Sequence, residues 1–209
     1  MEPKEIKERT TFKIDEALDE IKKSKKKFKQ SIDIVINLQN FDPKKQENKV
    51  SKEIVLPNGI GKDVKIGIIS DTRPGSITKA QIEALKEKKQ MKKFLEEYDS
   101  FLADPSLMPF VGKTLGKYLA PKGRMPTILP PNANSDEFVR MKKKAIRFRT
   151  RDSSSIQLLV GNEEMGNAEL KENIKKVLED VQNVLPKGRS QMKNVLVKMT
   201  MSKPVKIEF

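Results

Sequence analysis

Two changes of hydrophobic rhythm, near Gly59–Gly61 and near Lys144–Ile146, constrain what this chain can fold into. Before the first and after the second, apolar residues alternate with polar ones. Between them they form short unbroken runs followed by helical stretches. Alternation marks a strand with one face in a core and the other open, whereas an unbroken run marks a strand covered on both faces. Two packing styles require two packed layers, so the expected architecture joins both ends of the chain. Residues 1–60 and 145–209 are expected to form a discontinuous α+β domain, with an α/β domain of residues 61–144 inserted.

The elements follow from local pattern. Ile14, Leu18 and Ile21 recur at helical spacing and predict a helix over 13–26, with Thr10 or Thr11 as its N-cap. In 30–39, Ile32, Ile34, Ile36 and Leu38 alternate with Ser31, Asp33, Val35 and Asn37, which predicts a half-buried strand. A short strand is expected over 53–56, ended by the turn-rich Pro57-Asn58-Gly59-Ile60-Gly61. The middle segment predicts a strand over 64–69, a helix over 78–97 with Ile82, Leu85, Met91, Phe94 and Leu95 as its apolar set, and a strand over 100–103. Helices are expected over 106–119, despite Pro109, and over 136–143. After Ala145, Ile146 and Phe148 alternate with Arg147, Arg149 and Arg151, and a further strand covers 156–160. Asn167 is the expected cap of an amphipathic helix carrying Leu170, Ile174, Val177, Leu178, Val181 and Leu185, and a last strand runs over 194–201.

Composition removes whole chemistries. The chain has no Cys and no His, which excludes disulfides, thiolate nucleophiles, imidazole bases and Cys/His metal cages. No cofactor, metal or catalytic residue is expected. Residues 1–9 alternate acid and base without an apolar core, so no signal peptide is expected. The longest uncharged stretch, 125–135, contains three prolines and falls well short of the roughly eighteen apolar residues of a membrane span. The expectation is a soluble intracellular protein.

Forty-three Lys and Arg against 29 Asp and Glu give a net charge of +14, and a surplus of that size points to a polyanion. The excess is not a tail: residues 61–145 carry 17 basic against 10 acidic side chains, and the two flanking segments together carry 26 against 19. Both proposed domains are basic, which favours structured binding of a folded nucleic acid. Phe28 interrupts the Lys22–Lys29 cluster just before the alternating strand. Its ring fits two places equally: against a ribose or base beside lysines on phosphates, or in the core at the helix–strand junction. Arginines 147, 149 and 151 fit an exposed strand guarded by charge against edge-to-edge pairing. Gly112-Lys113-Thr114 ends like a phosphate-cradling loop, but Leu107 stands where that loop's first glycine belongs. A nucleotide-dependent enzyme on the α/β lobe is the alternative class.

Four blocks in order carry a more specific signal: Phe28-Lys29-Gln30-Ser31-Ile32-Asp33, Val55-Leu56-Pro57-Asn58-Gly59-Ile60-Gly61-Lys62, Leu119-Ala120-Pro121-Lys122-Gly123-Arg124-Met125-Pro126 and Thr200-Met201-Ser202. Together they resemble the L-one family of large-subunit ribosomal proteins, in its archaeal branch, over nearly the whole chain. The resemblance implies two hinged domains, the inserted one Rossmann-like, in a non-enzymatic protein of the cytoplasmic ribosome that is monomeric when free. It implies that the discontinuous domain clamps large-subunit rRNA in the mobile stalk near the tRNA exit site. The same surface is implied to bind the protein's own mRNA and repress its translation, while the second domain faces tRNA. The implied RNA-binding residues are Lys27, Phe28, Ser31, Asn194, Thr200, Met201 and Ser202. The family usually has Gly where this chain has Ser202.

Overall fold

The computed structural model of the protein describes residues 11–23, 26–42, 50–73, 75–84, 88–130, 134–150 and 153–209. In chain order its elements are α1 (Ile14–Lys22), β1 (Ser31–Leu38), β2 (Ser51–Val55), β3 (Ile66–Ile69), α2 (Lys79–Ala84), α3 (Lys88–Glu97), β4 (Ser100–Ala103), α4 (Met108–Thr114), α5 (Gly116–Lys122), β5 (Thr127–Ile128), α6 (Ser135–Lys144), β6 (Ala145–Arg149), β7 (Ser155–Asn162), α7 (Asn167–Val184), β8 (Met192–Met199) and β9 (Val205–Ile207). The chain divides into two compact units, one up to Lys62 and from Lys144 onward, the other Asp63–Lys143.

In the first unit, alternation produces an antiparallel sheet in the order β7-β1-β8-β9. Ile32, Ile34, Ile36 and Leu38 of β1 are buried, as are Val195, Val197 and Met199 of β8. Helix α1 packs on β8 and β9, α7 packs on β7, and the two helices touch. Their buried stripes are Ala17, Leu18 and Ile21 on α1, and Leu170, Ile174, Val177 and Val181 on α7. Each such Leu, Ile or Val side chain contributes about 1.5–3 kcal/mol by leaving water. With both helices on one face, Asp33, Val35 and Asn37 remain only half-buried on the other. A bulge between Ile32 and Asp33 leaves Val160 of β7 without a partner in the register. Gly161 follows it, and a Cβ there would lie 2.6 Å from Leu170 Cδ2 and 2.7 Å from Met165 Sδ. Only glycine lets β7 approach α7 this closely.

Strands β2 and β6 pair separately, as a two-stranded antiparallel ribbon in the same unit. The loop after β2 is held by buried Asn173 of α7. Its Nδ2 donates to Gly59 O at 2.8 Å and to Val160 O at 2.9 Å, and its Oδ1 accepts from Asn58 N at 3.2 Å. Gly59 and Gly61 adopt φ of +71° and +65°, the left-handed region that the turn requires.

The second unit has a three-stranded parallel sheet in the order β3-β4-β5. Ile69, Phe101 and Ala103 from the sheet pack with Ile82, Met91, Leu95, Val111 and Leu119 from the helices and with Leu115 between α4 and α5. The chain is thus a mixed α/β protein, with antiparallel pairing where residues alternate and parallel pairing where they run unbroken.

Several local expectations are corrected. Within the helix expected over 78–97, the described residues are helical over Lys79–Ala84 and Lys88–Glu97, and Leu85 lies outside the described residues. The expected helix over 106–119 is a 3-10 turn (Pro105–Leu107) followed by α4 and α5, parted at Leu115. Pro109 sits in the first turn of α4, where no amide is needed, so it starts a helix and does not break one. Helix α5 runs past Leu119 to Lys122 and ends at Gly123 with φ of +68°. Lys13, which makes no side-chain capping bond, precedes α1 in place of a threonine cap; Thr10 lies outside the described residues. Gly166 caps α7, with Glu169 accepting from its amide at 3.0 Å, while Asn167 is the first helical residue and donates to Asp19 Oδ1 of α1 at 2.7 Å. The last long strand ends at Met199, two residues early, and the chain makes one more strand, β9, beyond it.

Candidate nucleic-acid interface

The register of β1 against β8 pairs Ile32 with Met199. Because the strands are antiparallel, residues entering β1 must lie beside residues leaving β8. Two segments about 170 positions apart in the chain therefore meet at one end of the sheet. Thr200 N donates to Ser31 O at 3.1 Å, and Thr200 Oγ1 accepts from Ser31 N at 3.2 Å. The chain then turns: Ser202 N donates to Met199 O at 3.2 Å, and Ser202 Oγ accepts from Met199 N at 2.8 Å. Among the described non-glycine residues only Asn40 has a positive φ, so Ser202 occupies its turn without left-handed strain. The serine hydroxyl closes a turn that needs no glycine here.

Gln30 is the buried anchor of this end, only 1% exposed. Its Oε1 accepts from Met201 N at 3.2 Å, its Nε2 donates to Glu163 at 3.5 Å, and its carbonyl accepts from Glu163 N at 3.0 Å. One side chain thus ties the β8 turn to the turn after β7. Sequence reasoning did not single out Gln30, although a signal existed. It precedes Ile32 by two and so is a polar residue at a core position of the alternation. A polar side chain there must find partners, since burying it without them costs about 1–3 kcal/mol.

On this fixed frame the side chains point outward. Phe28 is 50% and Met201 64% exposed, and Lys27, Ser31 and Thr200 are exposed too. The core reading of Phe28 is therefore overturned. Large apolar groups left in water beside cations and hydroxyls can take up a partner chemically. Phe28 and Met201 offer faces to a base or ribose, the Thr200 and Ser31 hydroxyls offer hydrogen bonds, and Lys27 offers a cation to phosphate. Lys29, in contrast, is bonded to Glu164 at 2.8 Å, and that bond raises its ammonium above the usual lysine range. Lys22 donates to Met165 O at 2.8 Å, so part of the lysine cluster serves the fold.

The sheet does not bring Asn194 into this cluster. It pairs with Asn37, six residues along β1 from Ser31, or roughly 20 Å at strand rise. There it accepts from Asn37 Nδ2 at 2.6 Å. Between the two ends, Asp33 stands opposite Lys198 on the open face. Partial burial raises the Asp33 carboxyl above its ordinary value, and the Lys198 charge offsets part of the rise.

The other chemical signals resolve in the same way. Gly112, Lys113 and Thr114 lie inside α4, with Thr114 Oγ1 donating to Phe110 O at 2.8 Å, so they form no phosphate cradle. Among the described residues no group of three acidic side chains is placed to hold a metal ion. No described helix is long and apolar enough to cross a membrane. Arg147 and Arg149 are exposed on β6, while Arg151 lies outside the described residues.

Comparison with known proteins places the chain as a whole. The profile of the ribosomal protein L1p/L10e family matches residues 20–203. The large ribosomal subunit protein uL1 of Methanothermococcus thermolithotrophicus is 40% identical over 191 residues, covering 87% of this chain and 90% of the relative. That of Pyrococcus abyssi is 38% identical over 209 residues (94% and 95%), and that of Methanothermobacter thermautotrophicus 35% over 208 (92% and 98%). These relatives bear out the archaeal resemblance, and they are proteins of the large ribosomal subunit, not nucleotide-dependent enzymes. A match spanning most of the sequence, at this identity and with all four motif blocks inside it, means that the chain belongs to the ribosomal protein L1p/L10e family.

Proposed function

We propose that this chain is a structural protein of the large ribosomal subunit that binds a folded segment of large-subunit rRNA in the cytoplasmic ribosome. The discontinuous domain, residues 1–60 and 145–209, grips the RNA through Lys27, Phe28, Ser31, Thr200, Met201 and Ser202. Asn194 takes part only where the RNA runs along the open sheet face. The complex forms the mobile stalk near the tRNA exit site. The basic, Rossmann-like inserted domain, residues 61–144, swings on the connections at 59–61 and 144–146 and faces tRNA. The same surface binds the protein's own mRNA and represses its translation, and the free protein is a monomer.

The observation that carries this reading is the meeting of the Phe28–Ser31 and Thr200–Ser202 blocks at one exposed end of the sheet, joined by paired bonds between Ser31 and Thr200. An RNA surface is favoured over a protein-binding surface by the +14 net charge and by the lysine beside the exposed rings. Binding of the purified chain to a structured large-subunit rRNA fragment, in parallel with labelled ATP, tests it. Salt-sensitive capture of the RNA and none of the nucleotide is the expected result. An absence of RNA binding at low salt overturns the reading.

A further inference from the structure

We propose that the groove between β6 and β7 is a second phosphate-binding subsite, which holds the backbone of the RNA beyond the Thr200 end. The inference rests on the RNA-binding reading above and adds to it a site that none of the motif blocks contains. The groove encloses about 380 Å³ and is lined by Arg147, Arg149, Ser153, Ser155 and Gln157. None of these is acidic, two carry guanidinium forks, and the rest supply neutral hydrogen-bonding groups. This is the composition that meets phosphate oxygens.

Its position follows from register. Ser155 pairs with Asn37 and Gln157 with Val35, so both stand on the open face of the main sheet, at the end away from Thr200. Asn37 in turn holds Asn194. The groove therefore extends the same face, and the span of β1, roughly 20 Å, separates it from the first cluster. A rigid RNA fold lying along the sheet meets both ends. Asn194, distant from the Thr200 cluster, falls beside this second contact.

The arginines are presented by the fold. Ile146 and Phe148 are buried, which forces Arg147 and Arg149 to the other side of β6. Thr150 pins the end of that strand, its Oγ1 accepting from Val50 N at 2.8 Å. Arg147 Nε and Nη2 donate to Ser51 Oγ at 3.4 Å, leaning toward Arg149. Across the ribbon Arg147 faces Glu53 in register, whereas Arg149 faces neutral Ser51. Among the described residues Arg149 is therefore the principal cation of the groove. Simple protection of an edge strand requires scattered charge, and it gives no reason for serines and a glutamine to share one concavity with both guanidinium groups.

The test pairs a protein change with an RNA change. The full chain and its Arg149→Gln variant are titrated with the shortest large-subunit rRNA fragment that the protein protects, and with that fragment trimmed stepwise at the end leading away from the Thr200 footprint. Arg149→Gln is expected to bind the full fragment about tenfold more weakly near 0.1 M salt, with a log–log salt slope reduced by about one. On the trimmed RNA the variant and the wild type become equal. Arg149→Lys, which keeps the charge, restores most of the slope, and unchanged melting curves exclude a folding defect. Equal losses on both RNAs, or no loss on either, overturn the second subsite while leaving the first contact standing. Failure of the wild type to bind any fragment overturns both.

Discussion

In the proposed interface the single hydroxyl of Thr200 is divided between fold and partner. Its Oγ1 accepts from the Ser31 amide while the side chain stays exposed. Thr200→Val keeps the β-branched shape and deletes that acceptor. A stability loss of about 0.5–1.5 kcal/mol is expected from the Ser31 bond, with a larger loss of about 1–3 kcal/mol in RNA affinity, at an unchanged salt slope. Thr200→Ser keeps the hydroxyl and is expected to bind nearly as the wild type. Titrations and melts of both variants check this, and an affinity loss in Thr200→Ser equal to that in Thr200→Val contradicts it. Asp33 gives a pH test on the same face. Its carboxyl is raised by partial burial, so the folded state holds the proton more tightly than the unfolded chain does. The ionised form is then a penalty that is absent below the unfolded carboxylate range, near pH 4, grows as pH rises through the raised value, and is constant above it. Asp33→Asn is expected to melt higher than the wild type at pH 7, with the gain vanishing toward pH 3. A gain that persists or grows in acid contradicts the assignment. At this scale the sequence is unevenly legible. The motif blocks pointed to Phe28, Thr200 and Met201, but whether Phe28 faced core or solvent depended on a junction whose path only the fold defines.

At the scale of elements, Asn173 ties α7 to the loop after β2 and to β7 at once. Asn173→Leu keeps the volume and leaves Asn58 N, Gly59 O and Val160 O without that partner. A loss of about 2–4 kcal/mol is expected, read as a lower denaturant midpoint with the m-value unchanged. A midpoint within a few tenths of a kcal/mol of wild type contradicts the anchoring role. Element types were legible wherever burial alone dictated periodicity, as in β1, where alternate positions are buried without exception from Ile32 to Leu38. Element ends were not, because they depend on partners elsewhere in the chain. Asn167 has the residue type of a cap, yet its side chain is taken by Asp19 of α1 and Gly166 does the capping. Asn173 interrupts the apolar stripe of α7 between Leu170 and Ile174, a visible anomaly whose meaning lay in the backbone of a loop more than a hundred residues earlier.

For the whole molecule, pairing β1 with both β7 and β8 obliges the two ends of the chain to fold together, and it juxtaposes motifs that are far apart in sequence. In the proposed reading the charge adds to this: a basic surface spread over both segments draws in a polyanion, and the rings and hydroxyls at the sheet end orient it. The family and the two styles of packing were legible in the sequence because they rest on ordered motifs and hydrophobic rhythm. The partners of Gln30 and the Arg149 groove were not, since both arise from register. Hydroxyl-radical footprinting of large-subunit rRNA with the full chain, compared with a Thr200→Val/Met201→Ala double variant, tests the central claim most directly. One localised protected fold is expected with the wild type, and at the same protein concentration the double variant should lose that protection while retaining its melting temperature within a few degrees. Diffuse protection by the wild type, or an unchanged footprint from the folded double variant, would contradict it.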